Sequence, residues 1–405
     1  MPKVIQVNTV SNYGSTGKIM EAIGLLAKAS GWDSKIAVGR RYSRASSLET
    51  YTISNILQNY LSAVYSLLTD RHGFANKPET KRFVNWLKKE TPDVIHLHNF
   101  HSYIVNIKQL FDYLSESGIP VIWTLHDCWP FTGHCSHFIG ANCYKWQTGC
   151  NKCPNRKAFP SSLFFDKSLD NYRDKSMIFN SLGNLQIVTV SRWLGDCVRA
   201  SFLGHYPITV IANGVDLNVF YPKLSRNKVK YNLEGKKVLL GVSTDWCKAK
   251  GLNDYLELRK VLPEKYSIVL VGMKTEQVKE YSRPGFVCIE KTNRIDDLVD
   301  WYNAADIVLN LSYAETFGLP VAEGYACGKP AIVYDNTALS ELITPETGIK
   351  VKTGNLNELT YAIETICSNS NINKAKACRN RAEIFYDKEK NYRRYIDLYN
   401  EAVMK

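Results

Sequence analysis

Long apolar runs are missing from this sequence, and so is an excess of acidic residues. No window approaches the roughly 18 consecutive apolar residues of a membrane-spanning helix. The longest apolar runs, such as VLLGV at 238–242, have the length of a β-strand. The first residues read KVIQVNTV and contain neither a charged leader nor a long apolar core. We therefore expect a cytoplasmic protein.

Basic residues outnumber acidic ones, 51 against 39, which gives a formal net charge of +12. This charge favours anionic partners, such as a phosphorylated substrate or the anionic inner face of the cytoplasmic membrane, which the protein would contact transiently. The lysines and arginines are scattered and form no basic stripe, so we expect no nucleic acid binding.

A phosphate-binding P-loop is also missing, although the stretch Gly14-Ser15-Thr16-Gly17-Lys18 resembles one. The P-loop needs a glycine where Asn12 stands and a hydroxyl residue where Ile19 stands. What remains is a glycine-rich turn between a strand and a helix, whose backbone could approach an anion. The alternative is a plain turn that binds nothing.

Short apolar strands alternate with helical patterns along the chain in two series, separated by a polar, turn-rich stretch near 216–235. Such alternation is typical of α/β proteins with parallel sheets covered on both faces. We predict two Rossmann-like domains facing each other across a cleft, at residues 1–205 and 206–384. A C-terminal helix at 385–405 would pack back on the N-terminal domain. Ligands would bind at the carboxyl ends of the strands, inside the cleft.

Cysteine is concentrated in an insertion at 128–153 of the N-terminal domain. Seven, six and two residues separate Cys135, Cys143, Cys150 and Cys153. The final Cys-x2-Cys pair, followed by proline, suits a tetrahedral structural zinc site. Two disulfides or four unpaired thiols are the alternatives, and reduced thiols fit a cytosolic chain.

Two glutamates stand out in the segment NLSYAETFGLPVAEGYACGKPAIVYD, residues 310–335. Glu315 follows a strand pattern, and Glu323 lies one turn into a helix that begins near Pro320. Amide groups at the start of that helix, around Gly318, would favour a diphosphate. A carboxylate can accept hydrogen bonds from both hydroxyls of a ribose. Taken alone, the two acids also fit ordinary capping or surface positions.

These residues resemble the family 4 glycosyltransferases, which are retaining enzymes of the GT-B fold. The family signature is E-x7-E, with F-G-[LIV] after the first glutamate and A-x-G-x-P behind it, and residues 315–330 match it. The resemblance covers nearly the whole chain. It includes VTVSRWLGD (188–196), VIANGVDLNVF (210–220), LLGVSTDWCKAKGL (239–252) and LVDWYNAADIVLNLS (298–312).

The resemblance implies donor-binding roles in the C-terminal domain. Glu323 would hold the nucleotide ribose, Glu315 would contact the donor sugar as a catalytic residue, and Lys250 would grip the diphosphate. The segment Phe317-Gly318-Leu319 would present its amides to the same diphosphate. Gly241-Val242 replaces the Gly-Arg pair that is common in the family, so neutralisation of the diphosphate would rest on Lys250, assisted by Lys248 or by an arginine elsewhere in the chain. No cofactor is required for catalysis.

The N-terminal domain would contribute the glycine turn and a set of strand-end residues. Gly14, Ser15 and Gly17 would let the turn close over the diphosphate. His126, in WTLHDC, matches a family position between the donor sugar and the acceptor, and Asp127 would orient its ring or fix the turn. For a lone histidine, the common alternative is a hydrogen bond to the backbone.

His96, His98 and Asn99 end another strand, where a His-x-His pair points both rings to one face. A metal site is conceivable there, but we prefer packing and acceptor contacts for His98 and Asn99.

The sequence thus predicts a retaining glycosyltransferase that moves a hexose from a UDP- or GDP-sugar to a saccharide or lipid-linked saccharide acceptor. Cell-surface polysaccharide biosynthesis is the expected setting. A nucleotide-sugar epimerase or a phosphorylase of the same fold, and a non-catalytic nucleotide-sugar binder, are the alternatives.

Overall fold

The computed structural model describes residues 1–39, 45–292, 294–368 and 372–404. It divides into two compact units. The first unit contains Met1–Ile211 and the C-terminal residues from Tyr392 onward. The second unit contains Ala212–Asn391.

The first unit is a parallel sheet of seven strands in the order β3-β2-β1-β4-β5-β6-β7. Its central strands, such as VIWTL, are buried apolar runs, as expected where both faces of a sheet are covered, whereas the edge strand ETYT is mostly exposed. Its elements are β1 (Lys3–Asn8), α1 (Gly14–Ala29), β2 (Asp33–Val38), β3 (Glu49–Thr52), α2 (Ile56–Thr69), α3 (Lys77–Glu90), β4 (Val94–Leu97), α4 (Ile107–Ser117), β5 (Val121–Leu125), α5 (Ser168–Phe179), β6 (Leu185–Thr189), α6 (Arg192–Arg199) and β7 (Ile208–Val210).

The second unit is a parallel sheet of six strands in the order β10-β9-β8-β11-β12-β13. Its elements are α7 (Asn227–Lys230), β8 (Lys237–Val242), α8 (Leu252–Val261), β9 (Tyr266–Met273), α9 (Thr275–Tyr281), β10 (Phe286–Glu290), α10 (Ile295–Ala304), β11 (Ile307–Asn310), α11 (Leu319–Ala326), β12 (Ala331–Tyr334), α12 (Leu339–Leu342), β13 (Gly348–Val351), α13 (Leu356–Ser368) and α14 (Ile372–Phe385). Both sheets are Rossmann-like, and each places the loops after its strands at one edge.

The last helix, α15 (Lys388–Met404), contributes an aromatic stripe to the core of the first unit. Tyr392, Tyr395, Ile396 and Tyr399 are buried together with Ile23 of α1 and other apolar side chains of that unit. A period near 3.6 places these four side chains on one face of the helix.

The boundary between the units differs from the sequence prediction by a few residues. β7 pairs in parallel with β6, for example Ile187 with Ile208, so this short strand completes the first sheet. The break therefore follows Ile211 and not residue 205. The sequence could not predict this boundary, because strand pairing, not composition, decides to which sheet an edge strand belongs.

No helix within the described ranges combines the length and the apolar character needed to cross a membrane.

Candidate active site

The glycine turn of the first unit links β1 to the N-terminus of α1. Gly14 has a φ of +63°, a conformation that favours glycine, and begins the helix together with exposed Ser15. Gly17 is buried, and a Cβ atom there would lie 3.1 Å from the Val10 carbonyl oxygen. Gly17 thus allows the close packing of helix and turn, whereas Gly14 and Ser15 are exposed in the first turn of the helix, where backbone amides have no intrahelical partner.

The turn lies beside the end of β4, because β1 and β4 are neighbours in the sheet. The Asn99 amide donates to the Asn8 side-chain oxygen over 3.2 Å, and the Thr9 hydroxyl donates to the Asn99 carbonyl oxygen. Asn8 also donates to the Val10 carbonyl oxygen over 2.9 Å. The sheet therefore brings Asn99 to the glycine turn, 82 or more residues away in sequence.

Three side chains from neighbouring strands form a buried hydrogen-bonded chain, Gln6–His98–His126. Gln6 Nε2 donates to the Met20 carbonyl oxygen, which turns its Oε1 toward His98 Nε2 at 3.1 Å. His98 Nε2 must then carry a proton, and its Nδ1 must accept the hydrogen bond from His126 Nε2, also at 3.1 Å. His126 therefore carries its lone pair on Nδ1.

The imidazole rings of His98 and His126 are both neutral at ordinary pH. Burial lowers the pKa of His126 to about 4, opposed by the nearby Asp127 charge. Burial also holds the pKa of His98 well below its usual range. A neutral imidazole with a fixed tautomer can accept a hydrogen bond from a hydroxyl group, and a permanent imidazolium could not.

His96 serves the fold. Its Nδ1 lies 2.6 Å from the Tyr399 hydroxyl and its Nε2 lies 2.8 Å from the Thr124 hydroxyl. The rings of His96 and His98 lie on one face of β4, 4.0 Å apart between centroids, but their nitrogens are engaged in these hydrogen bonds.

Asp127 contacts His101 and the turn after β5. Its carboxylate lies 3.2 Å from His101 Nε2 and accepts a 2.9 Å hydrogen bond from the Trp129 amide. The second of the two roles expected for Asp127, fixing the turn after β5, is thus the one that its contacts favour. His101 is buried and stacks on Trp129, with 4.5 Å between the ring centroids.

Four of the five cysteines of the insertion line one cavity of about 20 Å³: Cys135, Cys143, Cys150 and Cys153. All four are free thiols, so the two-disulfide alternative is absent from this structure. Burial raises the pKa of Cys135 and Cys150 to about 11 and that of Cys153 to about 12. Among the described residues, no three His, Cys, Asp or Glu side chains form a group that could hold a metal ion. Zinc binding stays a prediction of the sequence.

Buried polar groups hold the cysteine-rich insertion in place. His134 Nδ1 lies 2.7 Å from an Asp70 carboxylate oxygen, and both side chains are only 2% exposed. The Lys175 ammonium group donates to the carbonyl oxygens of Trp129 and Thr132 over 2.8 and 2.9 Å. Burial lowers the pKa of Lys175 to about 7. These contacts connect the insertion to α2 and α5.

In the second unit, an ion pair joins two of the predicted donor-binding residues, Lys250 and Glu315 of the loop after β11. Lys250 Nζ lies 2.6 Å from Glu315 Oε1, which also accepts a 3.0 Å hydrogen bond from the Ser312 hydroxyl. The Glu315 amide donates to the Thr337 hydroxyl. Glu315 is thus held on both its backbone and its side chain, while the ion pair remains partly exposed.

Two glycines allow this close approach. A Cβ atom at Gly251 would lie 2.2 Å from the Leu311 carbonyl oxygen, and the φ of Gly251 is +74°. A Cβ atom at Gly318 would lie 2.7 Å from a methyl group of Leu339, with a φ of +98°. Any side chain at either position would push the Lys250 turn or the start of α11 away from the loop.

Glu323 is the fifth of the eight residues of α11 and accepts a 2.6 Å hydrogen bond from the hydroxyl of Tyr302 through its Oε2. Tyr302 is completely buried in α10. Burial and the Glu323 charge hold the pKa of Tyr302 well above its usual range, so its hydroxyl remains a donor. The carboxylate of Glu323 is therefore fixed in direction before any ligand binds.

The remaining signature residues, Phe317 and Leu319, lie in the loop before α11 and in its first turn. Phe317 is buried and packs against Tyr386, with 5.8 Å between the ring centroids. Its side chain therefore supports the loop by packing. Leu319 is partly exposed in the first turn of α11 and follows Gly318, whose amide precedes the helix.

Sequence reasoning missed the supporting residues Gln6, Ser312, Tyr302 and Thr337. Gln6 is polar within an otherwise apolar strand, and this is a readable signal for a buried hydrogen-bonding role. Tyr302 and Thr337 gave no signal, because each meets its partner only through the packing of separate elements.

Two family descriptions match the chain. "Glycosyltransferase Family 4" matches residues 57–219, and "Glycosyl transferases group 1" matches residues 236–369. The first match covers the strand-end histidines and the second covers Lys250, Glu315 and Glu323.

Relatives of known designation agree with these matches. The "Putative colanic acid biosynthesis glycosyl transferase WcaC" of Escherichia coli is 30% identical over 157 residues, which are 37% of this chain and 37% of that protein. The N,N'-diacetylbacillosaminyl-diphospho-undecaprenol alpha-1,3-N-acetylgalactosaminyltransferase of Campylobacter jejuni is 26% identical over 67% of this chain and 76% of its own length.

Solved structures show the same fold. Sucrose-phosphate synthase from Thermosynechococcus elongatus has a TM-score of 0.75, with 17% identity over 99% of both chains. HepE from Anabaena in complex with UDP-glucose has a TM-score of 0.68, with 17% identity over 99% of this chain and 100% of its own. The expected GT-B fold with two Rossmann-like domains is confirmed, and the chain belongs to the family 4 glycosyltransferases.

Proposed function

We propose that this protein is a retaining glycosyltransferase that moves a hexose from a nucleoside diphosphate sugar to a saccharide acceptor in cell-surface polysaccharide biosynthesis. One observation carries the proposal. At the carboxyl end of β11, the cation of Lys250 and the carboxylate of Glu315 are held together next to the start of α11. A cation and unpaired amides are what a departing nucleoside diphosphate needs.

The donor would bind to the second unit. Glu323, fixed by Tyr302, would accept hydrogen bonds from the ribose hydroxyls. Lys250, with exposed Lys248 on the same turn, would exchange part of its contact with Glu315 for the diphosphate. The negative charge that develops as the sugar–phosphate bond breaks would thus meet a preorganised cation, and no metal ion is required. Glu315 would contact the donor sugar.

The first unit would supply the acceptor side. His126 is neutral, and its Nδ1 lone pair can accept a hydrogen bond from a reacting hydroxyl. Its tautomer is set by His98 and Gln6, so the nitrogen that accepts is fixed before the acceptor arrives. Asn99, held at the glycine turn, would hydrogen-bond the acceptor. Gly14 and Ser15 would present amides to the donor diphosphate.

The setting follows from the relatives and from the charge. One relative is designated for colanic acid biosynthesis, and the designation of another includes a diphospho-undecaprenol lipid. A saccharide carried on such a lipid is our proposed acceptor. The net charge of +12 would favour transient contact with the anionic inner face of the cytoplasmic membrane.

A donor panel tests the proposal. The purified protein is mixed separately with UDP-, GDP- and ADP-sugars, and the melting temperature and the release of free nucleoside diphosphate are measured. We expect the sugar nucleotides of one base to raise the melting temperature of the protein, because a ligand that binds only the folded state stabilises it by mass action. We also expect slow, donor-dependent release of the nucleoside diphosphate, with the freed sugar retaining its anomeric configuration by NMR.

Two variants separate catalysis from binding. Glu315→Gln should lower release by roughly 100-fold or more while nucleotide binding persists, because the lost charge acts on the reacting sugar. Glu257→Gln, at an exposed acid paired with Lys260, is the matched control. Binding without turnover of any donor would favour a nucleotide-sugar binder. No response to any nucleotide would refute the proposal.

A further inference from the structure

Helix α2 has the reverse of the usual orientation of a surface helix. Its buried side chains are Asn59, Ser62 and Ser66. Its large apolar side chains point away from the protein, with exposed fractions between 41% and 65%: Ile56, Leu57, Tyr60, Leu61, Tyr65 and Leu68. Their spacing of three and four residues places them on one face. The helix contains no charged residue.

Hydrogen bonds of the polar side fix this orientation. Ser54 donates to the Asn59 side-chain oxygen over 2.6 Å, and Asn59 donates to the Gly39 carbonyl oxygen. The Ser62 hydroxyl donates to the Asn76 side chain over 2.6 Å. Turning the apolar side chains inward would break all of these hydrogen bonds and bury their polar groups without partners. The apolar side therefore faces outward in the folded first unit.

A second exposed apolar segment adjoins the C-terminal end of α2. The Leu163 amide donates to the Leu67 carbonyl oxygen over 2.9 Å. Leu163, Phe164 and Phe165 are exposed by 54%, 68% and 55%. We call these three residues and the six apolar residues of α2 the apolar face. These nine large apolar side chains lie in adjoining segments, whereas the exposed apolar residues of an ordinary protein surface are scattered singly.

The exposed charges beside the apolar face are mostly positive. Lys77, Lys81 and Arg82 are exposed on α3, whose Glu79 side chain accepts a hydrogen bond from Gln58 of α2. Lys157 and Lys167 flank the 163–165 segment. The acids of the 54–82 region are engaged inside the protein.

Those engaged acids are Asp70, bonded to His134, and Glu79, bonded to Gln58 and Arg82. The acids after the 163–165 segment are also engaged. Asp166 accepts from the Cys153 and Ser168 amides, and Asp170 pairs with Lys167.

We propose that the apolar face inserts into the interfacial region of an anionic phospholipid bilayer, with the basic residues of α3 and of the 157–167 segment on the lipid headgroups. Apolar side chains that enter the acyl boundary and cations that meet anionic headgroups are the two contributions that hold interfacial helices. The described residues include no helix that could span the bilayer, so this docking would be peripheral. The inference adds a docking surface to the proposed function, since a lipid-linked acceptor would be met at the bilayer.

Vesicle flotation with the full-length protein tests the inference. The vesicles are phosphatidylcholine alone, or phosphatidylcholine with about 30% phosphatidylglycerol. We expect the protein to float with the anionic vesicles and to bind the neutral ones much more weakly. Raising the salt concentration should weaken binding, because the headgroup contacts are screened.

Matched variants locate the contact. Leu57→Ser with Leu61→Ser, or Phe164→Ser with Phe165→Ser, should each lower the bound fraction at least tenfold, since each pair removes two inserting side chains. Leu224→Ser with Val229→Ser removes exposed apolar side chains from the second unit and should leave flotation unchanged. Lys81→Glu with Arg82→Glu should lower binding to anionic vesicles only.

Three results would overturn the inference: no flotation of the wild-type protein, equal flotation of the wild type and both serine double variants of the apolar face, or a concentration-dependent dimer that these serine substitutions abolish. The last result would assign the apolar face to a second copy of the chain. All variants are also checked for the nucleotide-induced rise in melting temperature. A failed flotation with that rise intact refutes the docking surface alone, whereas loss of the rise in the wild type refutes the donor proposal.

Discussion

Replacing Tyr302 by phenylalanine tests how Glu323 is prepared for a ribose. The substitution removes one buried hydroxyl and leaves the ring, so it creates almost no cavity. The lost hydrogen bond, 2.6 Å long and made to a carboxylate, contributes about 1.5–3 kcal/mol where it is fully formed. Water can replace part of it on the partly exposed Glu323. We therefore expect nucleotide affinity to fall by about 1–2 kcal/mol, a factor of roughly 5 to 30 in Kd.

The assay compares a nucleoside diphosphate with its 2′-deoxy analogue by titration calorimetry, using the base that the donor panel selects. Wild-type protein should prefer the ribonucleotide, because the analogue lacks a hydroxyl that would donate a hydrogen bond to Glu323. Tyr302→Phe should reduce this preference, and Glu323→Ala should abolish it. Tyr325→Phe is the matched control: Tyr325 is also fully buried, but its hydroxyl bonds to Leu342 and Thr347.

The reasoning would be refuted if Glu323→Ala kept the full preference for ribose, since the carboxylate would then not contact the sugar. It would also be refuted if Tyr302→Phe and Tyr325→Phe weakened nucleotide binding equally. In that case the effect would come from general loosening of the second unit and not from the direction of the Glu323 side chain.

Two further predictions concern the first unit. Burial lowers the pKa of His126 to about 4 in the folded protein, whereas the same ring in the unfolded chain takes up a proton near pH 6.5. The free energy of unfolding is therefore undiminished above pH 6.5 and decreases as the pH falls toward 4. Between pH 7 and pH 5, urea unfolding should show about 2 kcal/mol of this loss in the wild type and not in His126→Gln, and equal slopes would contradict it. Elemental analysis should find one zinc per chain, lost in Cys150→Ser with Cys153→Ser, if the sequence spacing of the four cysteines marks a structural site. Zinc-free protein in which all eleven thiols react after denaturation would rule it out.

The donor-side residues were readable from the sequence because they are close together in the chain. Glu315 and Glu323 lie on one strand–loop–helix unit, and the strand pattern, Pro320 and the glycine before it define that unit locally. The family matches over 57–219 and 236–369 confirm the identification made from this segment and from the others quoted with it. The individual roles of these residues stay predictions.

The orientation of α2 was harder to predict from the sequence. Its apolar residues follow a helical period, and such a period ordinarily indicates a face turned toward the core. Asn59 and Ser62 decide otherwise, because their partners Gly39 and Asn76 come from other parts of the fold. The pattern alone could not tell which face is inside.

By itself, the sequence determined the α/β class, the two series of strands and helices, and the family, since these depend on local periodicity and on motifs within short segments. Only the tertiary structure decided which groups meet. It placed β7 in the first sheet, joined Gln6 to His98 and His126, and set Tyr302 behind Glu323. In each case, the contact joins residues far apart in the chain, and its hydrogen bond exists only because strand order and helix packing bring the two partners within about 3 Å.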